Sequence, residues 1–122
     1  MKVYGIPACT TVKKARAWLD RHGVDYTFVD FKKTPPERSQ VKRWVDTLGW
    51  EQVLNRRGTT WRTLDPHEQA RIKDANGAID AMLARPTVIK RPVIETDDGL
   101  LIGFDEPEYA QRLRRGRPAR AT

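Results

Sequence analysis

The beginning of the chain carries two short apolar runs on either side of one amphipathic stretch. Residues 2–5 (KVYG) are β-prone and end at a glycine, which predicts a first strand. Apolar residues then recur at helical spacing over 11–21, which predicts a helix that stops at Gly23. The aromatic run at 25–31 (DYTFVDF) predicts a second strand. Strand, helix and strand in this order favour a βαβ unit with a parallel strand pair.

Three more helices are predicted in the middle of the chain. Apolar residues at helical spacing within 34–50 predict one helix, which closes at a glycine. A polar loop follows at 55–64 (NRRGTTWRTL). The next helix is predicted over 65–75, because Asp65 supplies an N-cap with proline at the first helical position and glutamate at the third, as in a capping box. A further helix is predicted over 76–84, before a proline.

The last part of the chain predicts an antiparallel hairpin and a final helix. Two β-prone runs, 92–96 (PVIET) and 100–104 (LLIGF), flank an Asp-Asp-Gly turn signal. A helix is predicted from 105 to about 113. The whole order of elements predicts an α/β fold in which helices cover a mixed four-stranded sheet.

Length and composition indicate a globular protein with a strongly charged surface. We expect its 122 residues to form one domain, which spans residues 1–113. No apolar run approaches the ~18 residues of a membrane span, and the amino-terminal end lacks the apolar core of a signal peptide. We therefore expect a cytoplasmic protein without a membrane partner.

Much of the net charge of +7 lies at the carboxyl-terminal end. Residues 112–122 hold five arginines and no acid, whereas the rest of the chain is nearly balanced. A basic run with little apolar content is typical of a solvated terminus, so we predict a disordered tail at 114–122. Nucleic acid is not favoured as a partner, because a basic run alone is a weak indicator of binding.

Cys9 is the only cysteine, and it follows the first predicted strand. One cysteine cannot form an internal disulfide, which agrees with a reducing compartment. At the start of a helix, unpaired amides and the helix dipole favour an anion, so a thiolate would be stabilised there. A lone cysteine also occurs as a small buried apolar residue. From its position alone, both interpretations of Cys9 stay open.

The chain offers no credible set of metal ligands. Its two histidines, His22 and His67, are isolated and accompany a single cysteine. A structural or catalytic zinc ion needs three or four converging ligands. We therefore predict no metal site, and no bound cofactor.

Three motifs in fixed order carry a resemblance to a known family. They are YGIPACTTVKKARAWL at 4–19, LNRRGTTWRTL at 54–64 and IKRPV at 89–93. Together they resemble the arsenate-reductase-like (ArsC) family, and most closely its YffB-type branch. The resemblance implies a thioredoxin-like fold, with the mixed four-stranded sheet and an inserted helical segment.

The same resemblance implies a set of site residues. Cys9 takes the place of the family's nucleophile, and Arg57 and Arg91 take the places of two arginines that face it. Pro92 takes the place of the cis proline of the thioredoxin fold. Arg56 is an alternative to Arg57, because branches of the family align differently around this loop.

The chemistry of these residue types agrees with such a site. A thiolate that attacks an oxyanion or a disulfide gains from fixed cations, and an arginine can hold an anionic group through two hydrogen bonds. Thr10 and Thr11 are expected to cap the helix after Cys9, and their amides to contact a bound anion.

The sequence also departs in three places from the patterns of the proteins that it resembles. Gly5 stands at the position where the arsenate-reducing members carry a histidine. The region LLIGFDEPEY contains no counterpart of their third arginine. Both departures argue against reduction of arsenate in the strict sense. Val12 occupies the position of the second cysteine of Spx-type regulators, so an internal disulfide switch is absent.

We therefore predict a thiol reductase in which Cys9 forms a mixed disulfide that an external thiol resolves. The resemblance implies glutathione as co-substrate and partner, or another small thiol, with a glutaredoxin as a further partner. The alternative is a non-catalytic Spx-type regulatory protein that binds RNA polymerase or another partner. In that case, Cys9 could be replaced without loss.

Overall fold

The computed structural model describes residues 1–113, and the predicted tail at 114–122 lies outside the described residues. The chain divides into a sheet unit, formed by Met1–Val29 and the chain from Arg91 onward, and a helical unit, Asp30–Lys90. The expectation of one domain stays a prediction. The elements are β1 (Lys2–Gly5), α1 (Thr10–Arg21), β2 (Thr27–Asp30), α2 (Arg38–Leu48), α3 (Trp50–Val53), α4 (Thr59–Thr63), α5 (Pro66–Arg71), α6 (Ala75–Ala84), a 3-10 helix (Pro86–Val88), β3 (Val93–Thr96), β4 (Gly99–Ile102) and α7 (Glu106–Leu113).

The sheet has four strands in the order β2-β1-β3-β4. β1 and β3 are antiparallel, with Tyr4 opposite Val93, and β3 and β4 form an antiparallel hairpin. The mixed sheet and the hairpin are confirmed, and β2 lies beside β1 as the predicted βαβ unit requires. Because β1 and β3 run in opposite directions, the residues that follow β1 and those that precede β3 meet at one end of the sheet.

One apolar core joins the sheet to α1 and α7. Trp18 on α1 is 2% exposed, and its ring packs edge-on against Tyr109 of α7 with centroids 5.5 Å apart. The amphipathic stripe predicted over 11–21 supplies the α1 side of this core, because residues three and four apart share a helix face. The buried members are Val3, Ala15, Trp18, Leu19, Val24, Ile94, Leu101, Tyr109 and Leu113.

The helical unit is built around the packing of α2 against α6. Trp44 on α2 is fully buried, and its ring lies 6.1 Å from the ring of Phe31. Ile79 and Met82 on α6 are buried as well. Trp44 is therefore a core residue of the helical unit. No helix within residues 1–113 is long and apolar enough to cross a bilayer.

Two predicted segments of the helical unit are corrected. The predicted loop at 55–64 contains the five-residue helix α4, which is too short to persist without packing. The helix predicted over 65–75 ends at Arg71, and a new one begins after Asp74, whose carboxylate accepts a hydrogen bond from the Gly77 amide at 2.8 Å. Aspartate is a strong N-cap and a poor helix-interior residue, which explains the break.

The predicted capping box at the start of α5 forms only in part. Asp65 is the N-cap, and its carboxylate accepts a hydrogen bond from the His67 amide at 2.8 Å. The Glu68 carboxylate instead accepts a hydrogen bond from Arg85 at 2.7 Å. The N-cap is therefore confirmed, while the glutamate links α5 to the residue after α6.

Candidate active site

Cys9 is placed at the N-terminal end of α1 by a tight turn after β1. Its backbone amide donates to the carbonyl oxygen of Ile6 at 3.0 Å, and Pro7 occupies the second position of this turn, which its fixed φ suits. Cys9 itself is the N-cap residue of α1, with extended backbone angles of −70° and 127°. The thiol is free and only partly exposed. It therefore lies at the positive end of the α1 dipole, next to the first unpaired amides of the helix.

Arg91 reaches the same thiol from the sheet. It lies two residues before β3, whose start lies at the same end of the sheet as the end of β1. The peptide bond between Arg91 and Pro92 is cis, the geometry that the resemblance implies for Pro92. The Arg91 guanidinium forms a hydrogen bond with the Cys9 sulfur. Cys9 and Arg91 are thus brought together within the sheet unit.

The surroundings of Cys9 favour its ionised form. Burial raises the pKa of the thiol, but the Val12 amide, the hydrogen bond and charge of Arg91, and the Thr11 amide together lower that pKa below its ordinary value. The two amides act on the anion without forming a regular side-chain capping hydrogen bond. A lowered pKa raises the fraction of thiolate near neutral pH, and the thiolate is the nucleophile.

The structure corrects the expected roles of the two threonines. Thr10 and Thr11 do not cap α1, because the N-cap is Cys9 and they occupy the first two helical positions with exposed side chains. The Thr11 amide is one of the groups that stabilise the thiolate, as expected for an anion at this helix end.

Val12 was not among the predicted site residues. The hydrogen bond from its backbone amide is the largest single contribution that lowers the Cys9 pKa. If the helix is predicted to begin at Thr10 instead of Thr11, Val12 is its third residue. The backbone amide at that position commonly donates a hydrogen bond to the side chain of the N-cap residue.

Arg57 and Arg56 lie in the helical unit, between α3 and α4. The Arg57 amide donates to the side-chain oxygen of Asn55 at 3.1 Å, and the Arg57 side chain is exposed. The Arg56 guanidinium lies 5.7 Å from the centre of the Trp50 ring and 3.7 Å from the Glu51 carboxylate. Arg56 is thus occupied by its neighbours, while a role for Arg57 beside Cys9 stays a prediction.

The loop that carries these arginines is held by backbone hydrogen bonds. The Asn55 amide donates to the carbonyl oxygen of Val88 at 2.8 Å, and the Lys90 amide donates to that of Val53 at 2.8 Å. Leu54 and Ile89 form an isolated antiparallel bridge between the same two segments. The stretch before Arg56 is therefore fixed to the stretch that leads to Arg91 along the chain.

Comparison with known proteins identifies the family. The sequence profile of the ArsC family matches residues 4–112, which is almost the whole described chain. The chain belongs to the ArsC family. The thioredoxin-like fold implied by the three motifs is thereby confirmed, because solved ArsC-type structures superpose on this chain.

Three similar proteins show the range of this ArsC chain's relatives. A solved structure named YFFB protein is 48% identical, with a TM-score of 0.88, covering 92% of this chain and 97% of its own. An arsenate reductase related protein from Brucella melitensis is 45% identical, with a TM-score of 0.72, covering 91% and 92%. The global transcriptional regulator Spx of Streptococcus pyogenes is 31% identical over 89% of this chain and 81% of its own. The proteins similar to this chain thus include some named for redox chemistry and some named for regulation.

The helical unit of this ArsC chain also contains a groove that is separate from the predicted site residues. Its volume is about 410 Å³, and Leu64, Ile72 and Val88 supply apolar surface to it. None of the predicted site residues lines it. Across residues 1–113, no three His, Cys, Asp or Glu side chains are grouped so that they could hold a metal ion.

Proposed function

We propose that this chain is a thiol reductase in which Cys9 is the nucleophile and glutathione the co-substrate. The observation that carries the proposal is the position of the Cys9 sulfur, between the first amides of α1 and the Arg91 guanidinium. These groups lower the pKa of the thiol and so keep a nucleophile available near neutral pH. Family membership supports the same class of chemistry.

The proposed reaction consists of two thiol–disulfide exchanges. The Cys9 thiolate attacks the glutathionyl sulfur of a mixed disulfide between glutathione and a substrate thiol. The old disulfide bond breaks, the substrate leaves as a thiolate, and Cys9 becomes bonded to glutathione. A second glutathione thiolate then attacks the glutathionyl sulfur, releases the Cys9 thiolate and leaves as glutathione disulfide. The net result is that the substrate sulfur is reduced from a disulfide to a thiol, while the incoming glutathione is oxidised into glutathione disulfide, so each turnover consumes one reduced glutathione.

The two arginines are proposed to receive glutathione. Glutathione carries two carboxylates, and a guanidinium can bind a carboxylate through two parallel hydrogen bonds. Arg91 contacts the reacting sulfur, while the assignment of Arg57 rests on the family resemblance. We propose that the amides of Thr10 and Thr11 contribute to anion binding at the same helix end. A reducing compartment such as the cytoplasm would supply the external thiol, and a glutaredoxin could take its place.

The test is release of a peptide thiol from its mixed disulfide with glutathione, in the presence of reduced glutathione. We expect the wild type to exceed the uncatalysed rate, and Cys9→Ser to give only the uncatalysed rate. Wild type treated with glutathione disulfide alone should gain one glutathionyl group at Cys9, seen by mass spectrometry. The proposal would be overturned if Cys9→Ser released the peptide thiol as fast as the wild type, or if glutathione disulfide formed no adduct at Cys9.

Little or no turnover of arsenate is expected from this chain. The region 100–109 (LLIGFDEPEY) contains no arginine, and Gly5 provides no side chain at the position of the family's histidine. Arsenate assayed with glutathione and a glutaredoxin tests this expectation. Arsenate turnover that matches turnover of the glutathionylated peptide would show that two arginines suffice.

A regulatory role is the second candidate, because Spx is 31% identical to this chain. Under this alternative the protein binds RNA polymerase or another partner, and Cys9 takes no part. Co-elution of the purified protein with RNA polymerase, unchanged in Cys9→Ser, together with no thiol turnover, would favour it over the reductase.

A further inference from the structure

The end of β1 and the first turn of α1 approach each other very closely. A Cβ atom added at Gly5 would lie 2.8 Å from Val12 Cγ2 and 3.4 Å from Val12 Cγ1. Carbon atoms that are not bonded prefer a separation of about 3.5–4.0 Å. Gly5 is buried and Val12 is 0% exposed, so neither can move outward without opening the core.

The backbone conformation at position 5 does not itself require glycine. The glycines with positive φ in the described part of the chain are Gly23, Gly49, Gly99 and Gly103, and Gly5 is not one of them. An alanine could therefore adopt the backbone angles of Gly5, and only the space taken by Val12 excludes it. The need for glycine here arises from the contact between two elements.

Val12 cannot easily rotate away from an added methyl group. Its side chain is β-branched, and in a helix such side chains keep essentially one χ1 rotamer. A side chain at position 5 would therefore displace the first turn of α1 as a body. That turn carries the amides of Thr11 and Val12, which face the Cys9 sulfur.

We propose that Gly5 is a positioning residue for Cys9: the missing side chain lets Val12 pack directly on β1, which fixes the first turn of α1 around the thiol. This inference rests on the proposed function of Cys9 as nucleophile. It assigns a role to the glycine at which this chain departs from the arsenate-reducing relatives. Gly5 acts through Val12 and does not touch the sulfur or a substrate.

The test is a double-mutant cycle read out by alkylation of Cys9 with iodoacetamide as a function of pH. Gly5→Ala should move the profile toward that of a free cysteine and lower the rate at neutral pH by roughly threefold or more, since fewer thiols are ionised. Val12→Ala removes both Cγ atoms that pack on β1, so it should also move the profile toward that of a free cysteine. A Val12→Ala profile equal to the wild type would overturn the inference, because the contact between Val12 and β1 would then not position the thiol. Gly5→Ala/Val12→Ala should return the rate to within about twofold of the wild type, because the new methyl group fills the vacated space.

Gly77→Ala is the matched control for a general steric defect. A Cβ atom at Gly77 would lie 2.8 Å from the Arg71 carbonyl oxygen, in the helical unit. This variant should leave the Cys9 profile unchanged even where it lowers the thermal midpoint. The comparison of Gly77→Ala with Gly5→Ala therefore shows whether a loss of stability alone changes the alkylation of Cys9, or whether the first turn of α1 has to move.

Each outcome decides the inference. A Gly5→Ala profile equal to the wild type, or a double variant that remains as slow as Gly5→Ala, overturns it. If Gly5→Ala does not fold, a folded double variant with the wild-type profile supports the steric account, and an unfolded one overturns it. A wild type that already alkylates like free cysteine overturns the proposed function as well, so the two failures are distinguishable.

Discussion

The Cys9 sulfur is stabilised by groups from two distant parts of the chain. The amides of Thr11 and Val12 belong to the helix that Cys9 caps, whereas Arg91 lies two residues before β3. A hydrogen bond from a charged donor is roughly twice as strong as one between neutral groups. The ionisation of Cys9 therefore depends both on the helix start and on the pairing of β1 with β3.

Removal of the Arg91 side chain should make Cys9 less reactive. We expect Arg91→Ala to slow iodoacetamide labelling at neutral pH by roughly three- to tenfold, because the pKa of the thiol rises when its cation is lost. The labelling rate of Arg91→Lys should lie between the rates of Arg91→Ala and the wild type, because lysine keeps the charge but lacks the planar guanidinium group. Intact-mass measurements over time give these rates.

Arg21→Ala is the control for this prediction, because Arg21 is an exposed arginine in the last turn of the same helix. Its labelling rate should equal that of the wild type. Equal rates in Arg91→Ala and the wild type would mean that the guanidinium does not act on the sulfur.

The lowered pKa of Cys9 should make stability depend on pH. The folded-state pKa lies below the unfolded value, so the thiolate contributes stability that is complete above the unfolded pKa of about 8.5 and is lost as pH falls through the folded pKa. The free energy of unfolding of the wild type, minus that of Cys9→Ser, should therefore rise with pH across this interval. Urea unfolding from about pH 6 to about pH 9 measures this difference. A difference that does not vary with pH would contradict the account.

At the scale of elements, α7 is tied to the end of β4 by one buried hydrogen bond. The Tyr109 hydroxyl donates to the carbonyl oxygen of Gly103 at 2.5 Å. Tyr109→Phe should lower the free energy of unfolding by about 1–2 kcal/mol, because it leaves a buried carbonyl without this partner. Tyr26→Phe is the control, since its hydroxyl makes one partly buried hydrogen bond with Arg16 and one exposed hydrogen bond with Asp20, both longer than 3 Å. This change should cost clearly less than Tyr109→Phe. Equal costs in urea unfolding would contradict the role given to Tyr109.

The strands and the longer helices could be predicted from the sequence because their patterns are local. The stripe that ends in Trp18 and Leu19 and the Asp-Asp-Gly turn each occupy one short segment. The short helices α3 and α4 could not be predicted in this way. Helices of this length have little stability of their own and form where tertiary contacts hold them.

The candidate site could be predicted only in part. Position after a strand indicated Cys9, and family resemblance added Arg91. Neither showed that the Val12 amide contacts the sulfur, because the sequence pattern predicted a helix start at residue 11, one residue after the observed start at Thr10. The close approach of Gly5 to Val12 could not be predicted either, because spacing along the chain does not show which residues of different elements come into contact.

At the scale of the whole molecule, one thiol sets what the chain can do. Cys9 is the only cysteine, so a mixed disulfide on it cannot be resolved within the same chain. The reaction therefore needs an external thiol at every turnover. This distinguishes the proposed chemistry from that of a two-cysteine switch, which would store an internal disulfide.

Removal of residues 114–122 should leave the chemistry of Cys9 unchanged. The match to the ArsC family ends at residue 112, and the segment beyond Leu113 contains four arginines but almost no apolar residues. We expect the shortened protein to keep its turnover of glutathionylated peptide within about twofold and its thermal midpoint within a few degrees. A larger loss of turnover would show that the basic tail takes part in binding.

The ionisation of Cys9 in the unmodified protein tests the account most directly. Because Cys9 is the only thiol, the change in ultraviolet thiolate absorbance with pH, corrected with Cys9→Ser, reports on this residue alone. We predict a titration midpoint clearly below the value of about 8.5 for free cysteine, as expected from the amides and Arg91. A midpoint at or above that of free cysteine would contradict the central claim that this fold holds Cys9 as a nucleophile.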